Sequence, residues 1–242
     1  MDPILAAGLQ ELASRKDRAA RDSRLAQRLI GPGNPGLGDR LTRYMEELEL
    51  FNPAYGLVAV ADRKELVLKH ILDSLAPLGV IDELLSKRQG ERGMAGKPLR
   101  IADAGSGAGL PGLPLAMAMP EHSFTLIERM GRRVGFLENT KAVLGLSNVE
   151  VEQADAEKAA PGRFDLVVFR AFRPLEPLML KALFRLLAVD GILGAYKARE
   201  DKINEEMAPI AAMTGGWEVF ETPVPFLDEG RRFVVVRKPT AA

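Results

Sequence analysis

The stretch Ile101-Ala102-Asp103-Ala104-Gly105-Ser106-Gly107-Ala108-Gly109-Leu110-Pro111-Gly112 puts an apolar run, a glycine turn and a helix start in immediate succession. Glycine is needed where the backbone takes positive φ and where a ligand must approach the main chain without meeting a Cβ. Gly105, Gly107 and Gly109 fit both needs. Pro111 suits a first helical position, and Pro114 falls among the first-turn amides that have no intrahelical partner, so neither opposes a helix. Two ligand classes use such a loop. Gly107-x-Gly109-x-x-Gly112 matches the dinucleotide fingerprint, with Glu128 at about the expected distance of roughly twenty residues for the ribose-binding acid. In that fingerprint, however, the first glycine directly follows the strand, whereas here the strand ends in Asp103 and Gly105 precedes the match. A carboxylate at that strand end repels a pyrophosphate and suits the ammonium of a methionine moiety, directly or through water. The register therefore predicts S-adenosyl-L-methionine.

Other residues could complete such a site. Glu128 closes the next apolar run, where its carboxylate is placed for two ribose hydroxyls, although solvated acids also end strands. Gln153-Ala154-Asp155-Ala156-Glu157 follows a third run and offers a loop amide and side chains to an adenine edge, or is simply an acidic loop. Arg170 stands among apolar residues where a later strand ends, and ligands of open α/β sheets bind at the carboxyl ends of strands; an arginine there usually has an anionic partner. His70, Asp73 and Ser74 share one helix face by spacing, and His70 serves either its neighbours or a ligand. Phe172 could stack on an unpaired purine or lie in the core, and Arg173 and Lys197 could meet phosphates.

The elements that position these residues follow from hydrophobic period. Leu5, Leu9 and Leu12, then Leu41, Tyr44, Met45 and Leu48 after the breaker Gly31-Pro32-Gly33-Asn34-Pro35-Gly36, predict two or three amphipathic helices. A further periodic segment covers 65–85, and the polar, glycine-bearing 86–93 is expected to be a linker or exposed loop. From residue 99 short apolar runs at 99–104, 124–127, 149–151, 164–169 and 192–196 alternate with helical stretches, which predicts right-handed βαβ units and a parallel sheet covered on both faces. Segments 217–222 and 233–237 have only a turn between them and should close the sheet as an antiparallel hairpin at one edge. The expected class is α/β, a mostly parallel seven-stranded sheet of the class I S-adenosylmethionine-dependent methyltransferase fold. The expected division is an N-terminal helical extension, 1–95, packed on a methyltransferase domain, 96–242.

Composition narrows the chemistry. Lys plus Arg and Asp plus Glu are 33 each among 242 residues, so any contact with a polyanion must come from a local patch. The segment 15–28 is one: Arg15, Lys16, Arg18, Arg21, Arg24 and Arg28 outnumber Asp17 and Asp22, and either form a solvated helix face or meet RNA phosphate. The absence of cysteine removes disulfides, thiolate nucleophiles and cysteine-based zinc sites, and two histidines make a histidine metal site a poor reading. No apolar run approaches the roughly 20 residues that span a bilayer, and nothing near Met1 has the form of a signal peptide. A cytoplasmic, metal-free monomer is expected.

Taken together, Lys69-His70-Ile71-Leu72-Asp73-Ser74-Leu75, the loop Gly105 to Ala116, Arg132-Arg133-Val134-x-Phe136-Leu137, Phe164-Asp165 through Arg170-Ala171-Phe172, and Tyr196-Lys197 closely resemble the bacterial small-subunit ribosomal RNA guanine-N7 methyltransferases. This is the family also called glucose-inhibited division protein B. The resemblance runs from about Asn52 onward. It implies that Gly105 and Leu110 line the methionine and ribose side of the cofactor, that Ala156 and Glu157 meet the adenine, and that Arg170 lies at the cofactor pocket, on the methionine carboxylate. It implies 16S ribosomal RNA or the small subunit as partner.

That reaction needs no catalytic acid or base, because guanine N7 carries a free in-plane lone pair and loses no proton on methylation. Holding N7 in line behind the sulfonium methyl is an orientation effect of roughly 7 to 11 kcal/mol. Cytosine C5 methylation would need a cysteine, and amino-group methylation normally shows an Asn/Asp-Pro-Pro-aromatic turn where this chain has Arg170-Ala171-Phe172. The competing readings are a methyltransferase for a small molecule or protein, and a noncatalytic nucleotide-binding module.

Overall fold

The computed structural model describes residues 1–15, 23–32, 34–93, 96–170 and 175–239. The described part of the N-terminal region forms helices α1 (Pro3–Ser14), α2 (Ser23–Leu29) and α3 (Leu37–Tyr55). Asp2 caps α1 by accepting from the amides of Ile4 and Leu5 at 2.9 and 3.1 Å, and Pro3 fills the first position, where no amide is needed. Leu5, Leu9 and Leu12 are buried on one face, as the spacing predicts. Helix α3 buries Leu41, Tyr44, Met45 and Leu48 and ends at Gly56, whose φ of 58° is the left-handed C-terminal cap that glycine takes without strain.

The segment expected to be one periodic helix over 65–85 is interrupted. It runs as α4 (Arg63–Leu66), a π-helical turn (Val67–Leu72), α5 (Asp73–Leu75) and, after Pro77, α6 (Leu78–Glu91). The π turn alters the face relation read from spacing: Ser74 turns its hydroxyl back onto the His70 carbonyl at 2.6 Å, whereas His70 and Asp73 both reach outward to Arg170. Residues 86–91, expected as a linker or loop, are the last turns of α6. The reason is Arg88, which is buried: its Nε lies 3.0 Å from Asp165 Oδ1 and its Nη2 2.7 Å from the Val189 carbonyl, with Nη1 on the Asp190 carbonyl. A polar composition conceals a helix whose charge is paired inside the fold.

The sheet strands are β1 (Arg100–Ala104), β2 (Ser123–Glu128), β3 (Val149–Gln153), β4 (Phe164–Arg170), β5 (Leu187–Lys197), β6 (Trp217–Glu221) and β7 (Arg232–Arg237). Between them lie α7 (Gly112–Ala118), α8 (Gly131–Leu144), α9 (Pro177–Leu186), α10 (Glu200–Met207) and a 3-10 segment (Ala208–Met213). The order is β3-β2-β1-β4-β5-β7-β6, with parallel pairing from β3 to β5 and β7 antiparallel to both β5 and β6. The expected hairpin is present, with β6 at the edge and β7 inside. The order reverses between β1 and β4, which marks where ligands bind in such sheets.

Two apolar layers cover the sheet. One joins the N-terminal helices, α7 and α8 to Ile101, Phe124, Leu166 and Val235; the other packs α9 and α10 on Ala102, Val167 and Leu193. The N-terminal helices thus share a core with the sheet. Helix α7 begins at Gly112, one residue later than expected, with Pro111 as its N-cap. The offset arises because the Gly112 amide is taken by the Asp103 carboxylate and starts the helix there. Among the described residues no helix is long and apolar enough to cross a membrane.

Candidate active site

The site is assembled at the carboxyl ends of β1, β2 and β3. After β1 the chain turns through Gly105, Gly107 and Gly109, all at positive φ. At Gly109 (φ 89°) a side chain would be strained, and its Cβ would lie 3.0 Å from Leu137 and run into Leu113. The loop is fastened from three directions. Gly105 and Ser106 amides donate to the Ile127 carbonyl at 2.9 and 3.0 Å. The hydroxyl of fully buried Tyr44 in α3 donates to the Ala108 carbonyl at 2.7 Å. The Gly107 amide donates to Glu128 Oε2 at 2.9 Å.

Asp103 serves the loop directly. Its Oδ2 accepts from the Ser106 hydroxyl at 2.8 Å and from the Gly112 amide at 2.9 Å, and a Cβ on Gly112 would fall 2.7 Å from that oxygen. One carboxylate oxygen of Asp103 is thus spent on the turn, and Oδ1 is buried with no hydrogen-bond partner among the described residues. Burial pushes the Asp103 carboxyl up to about 6, against the opposing pull of Ser106, Gly112 and Arg170.

Glu128 is only 3 % exposed, yet it borders an open cleft lined also by Gly105, Met130, Arg133, Ala156 and Glu157. Its Oε1 accepts from the Met130 amide at 2.8 Å, and Arg133 Nη1 stands 4.0 Å from Oε2. A carboxylate has about four lone-pair sites, so after two backbone bonds Glu128 keeps acceptor capacity for a diol. A glycine turn at positive φ, an acid with spare lone pairs and the loop 154–157 opposite it fit an adenosyl group. The structure therefore brings together Gly105, Glu128, Ala156 and Glu157, with Gly107 in the loop above them and Asp103 and Leu110 buried behind. In the sequence Arg133 is legible only as part of a motif and Tyr44 only as a core residue, while Met130, whose backbone amide does the work, carries no signal.

Arg170 does not line this cleft. Its Nη1 lies 2.9 Å from Asp73 Oδ2 and 3.2 Å from the Lys69 carbonyl, and its Nη2 lies 3.2 Å from His70 Nδ1. The anionic partner expected of a buried arginine is Asp73, which also meets Arg231 Nε at 3.3 Å. Lys197 is likewise engaged, both oxygens of Glu206 lying 2.7 Å from its Nζ. Phe172 and Arg173 lie outside the described residues. So do Lys16, Arg18 and Arg21 of the basic segment; its Arg28 is paired with Asp82 at 2.8 Å and with Glu121, and Arg24 approaches Asp82 at 3.8 Å, which makes those two part of the fold's own ion pairing.

Burial and the facing Arg170 lower His70 to about 4, against a hydrogen bond at the Ala59 backbone and the charge of Glu65; Lys69 adds to the lowering. A histidine held below its free value supports the fold above pH 6.5 and loses that support as pH falls toward 4. His70→Asn, whose Oδ1 accepts from Arg170 without titrating, is expected to shed that part of the acid sensitivity. Between pH 7.5 and 5 the wild type should lose up to about 2 kcal/mol more than the variant in denaturant titrations; equal losses would refute the assignment. Asp103 acts with the opposite sign, its contribution falling as pH rises from 3.8 to about 6, so only the paired comparison isolates His70.

Comparison with known proteins places these observations. The sequence profile described as rRNA small subunit methyltransferase G matches residues 38–234. A Treponema denticola protein named ribosomal RNA small subunit methyltransferase G is 38 % identical over 221 residues, 84 % of this chain and 87 % of that protein. A Cellvibrio japonicus protein of the same name is 37 % identical over 216 residues, 88 % of this chain and 91 % of the relative. Among solved structures, a tRNA (m1A58) methyltransferase from Aquifex aeolicus aligns with a TM-score of 0.52 at 15 % identity, covering 68 % of this chain and 70 % of that one. A SAM-dependent methyltransferase from the same organism aligns at 0.50 and 17 % identity, covering 80 % and 97 %. At those identities the structural likeness bears on the fold, which is the class I methyltransferase sheet.

Proposed function

The chain belongs to the rRNA small subunit methyltransferase G family, and on that premise we propose that it transfers a methyl group to N7 of a guanine in 16S ribosomal RNA. It is an S-adenosylmethionine-dependent methyltransferase. When bound, the cofactor supplies a sulfonium-linked methyl to an in-plane lone pair. The observation that carries the reading is Glu128, an acid anchored by the Gly107 and Met130 amides and facing the loop 154–157 across a cleft at the strand ends.

The residues divide the work. Glu128 holds the ribose hydroxyls, Ala156 and Glu157 border the adenine, and the glycine loop brings the main chain against the nucleoside. Asp103, through Ser106 and Gly112, fixes the loop's curvature and the start of α7. Arg170, oriented by Asp73 and His70, supplies positive charge at the end of β4, beyond the switch in strand order. No proton has to be removed from N7, which accords with His70 lying bonded to Arg170 and held mostly neutral. We take the protein to act in the cytoplasm as a metal-free monomer, with the helices of 1–95 a structural part of the catalytic unit.

The test uses purified protein, methyl-labelled cofactor and small ribosomal subunits from cells lacking the gene. About one methyl per subunit is expected, recovered as N7-methylguanine in the 16S RNA. Label absent from the RNA, or present on another atom, would remove the assignment and favour a small-molecule or protein acceptor.

A further inference from the structure

The carboxyl end of β5 borders another cleft, on the other side of the switch from the Glu128 cleft. It has a volume of about 530 Å³, within the roughly 300 to 1,000 Å³ usual for small-ligand sites, and its apolar walls are Leu175, Pro177 and Pro209. Set among them is an ion pair. Lys197 from the end of β5 and Glu206 from α10 are each less than one-fifth exposed, and the amide of Leu175 donates to Glu206 Oε1. The ammonium also lies 5.5 Å from the centre of the Phe169 ring.

The pairing leaves hydrogen-bonding capacity of a defined kind. Of the three N–H donors of Lys197, two are spent on Glu206; among the described residues Oε1 of Glu206 accepts from Leu175 and Lys197, and Oε2 from Lys197. One donor and one acceptor therefore remain side by side. Guanine presents the complementary pair on adjacent atoms, O6 as acceptor and N1–H as donor. Adenine presents the reverse, an amino donor against the ammonium and a bare N1 against the carboxylate, so both contacts fail. Uncompensated polar groups in a walled site are what give such readers their selectivity.

We propose that Glu206, paired with Lys197, reads the O6 and N1–H edge of the target guanine in this cleft, which orients the base for reaction at N7. Lys197 then acts on the base and not on a phosphate. The inference rests on the guanine N7 reading above and extends it to a specificity-determining pair.

The experiment begins with the wild type, which labels small subunits and allows the modified guanine to be mapped. Failure at this step strikes the proposed function itself. Subunits are then reconstituted with that guanine replaced by inosine, which keeps O6 and N1–H, or by 2-aminopurine, which keeps N7 and loses both. Wild-type kcat/KM should stay within about fivefold for inosine and fall roughly 100-fold for 2-aminopurine, the size expected for a lost two-point base contact. Glu206→Gln should lower the guanine rate by roughly 30- to 100-fold, leave the 2-aminopurine rate within threefold, and leave cofactor affinity by calorimetry unchanged. A structural lesion would lower both substrates in proportion, which is why the cycle separates the two. Proportional loss, a guanine rate within threefold of wild type in Glu206→Gln, or a wild type indifferent to 2-aminopurine would each overturn the inference.

Discussion

Replacing Glu128 with Gln should weaken S-adenosylmethionine binding roughly 100-fold, measured by calorimetry on the purified protein. Each hydrogen bond from a hydroxyl to a charged acceptor contributes about 1.5 to 3 kcal/mol, and loss of about 3 kcal/mol in total corresponds to that factor. The substitution is nearly isosteric, so the cleft keeps its shape. It also turns one of the two acceptors that hold Gly107 and Met130 into an N–H₂ group facing a donor, which costs about 1 to 3 kcal/mol in stability. The KM for cofactor should rise far more than kcat falls, because the contact proposed for Glu128 is with the ribose and not with the reacting atoms. Affinity within threefold of wild type would show that the diol is held elsewhere.

Arg88→Met should have the opposite profile, a large loss of stability with little change in chemistry. Arg88 and Asp165 are both buried, and Arg88 ties α6 to the Asp165 carboxylate and to two carbonyls at the beginning of β5, one of which, that of Val189, is shared with Arg92 at the end of the helix. Removing one partner of a buried pair costs about 3 to 5 kcal/mol because the remaining charge is left uncompensated. The lower end applies, since Arg92 Nη1 at 3.1 Å and the Arg100 amide at 2.9 Å still serve Asp165. At about 2 to 4 °C per kcal/mol for a chain of this size, the melting temperature should fall by roughly 10 °C. These groups sit at the amino ends of the strands, away from the glycine loop, so cofactor affinity at low temperature should hold. A melting temperature within 2 °C of wild type would mean that the pair is dispensable.

The parallel strands were legible because β1, β2 and β4 are buried along almost their whole length, which writes short continuous apolar runs into the sequence. The sequence pattern places strand β5 five residues late because exposed Val189 and Asp190, the latter at φ 59°, separate its buried opening pair Leu187-Ala188 from the apolar run at 192–196, and the register against β4 shifts in the same stretch. Residues 86–91 were misread for the converse reason: Arg88 is polar in composition and internal in position. In the site, the loop and Glu128 could be read because one short stretch of chain carries the turn and the adjacent strand carries the acid. The setting of Arg170 could not, because Asp73 and His70 lie about a hundred positions earlier and the π turn that presents them leaves no periodic trace. Glu206 is one of several charges on α10, and its meeting with Lys197 and Leu175 is what distinguishes it.

Strand β7 follows β6 in the chain yet lies inside it, and among the described residues it is the strand through which β6 reaches the rest of the sheet. During synthesis, then, β5 waits as an unpaired edge while β6 emerges, and neither is satisfied until the later strand slots between them. Lys197 pairs with Arg232 across that same seam, so the strand end that carries Lys197 is among the last parts of the sheet to be secured.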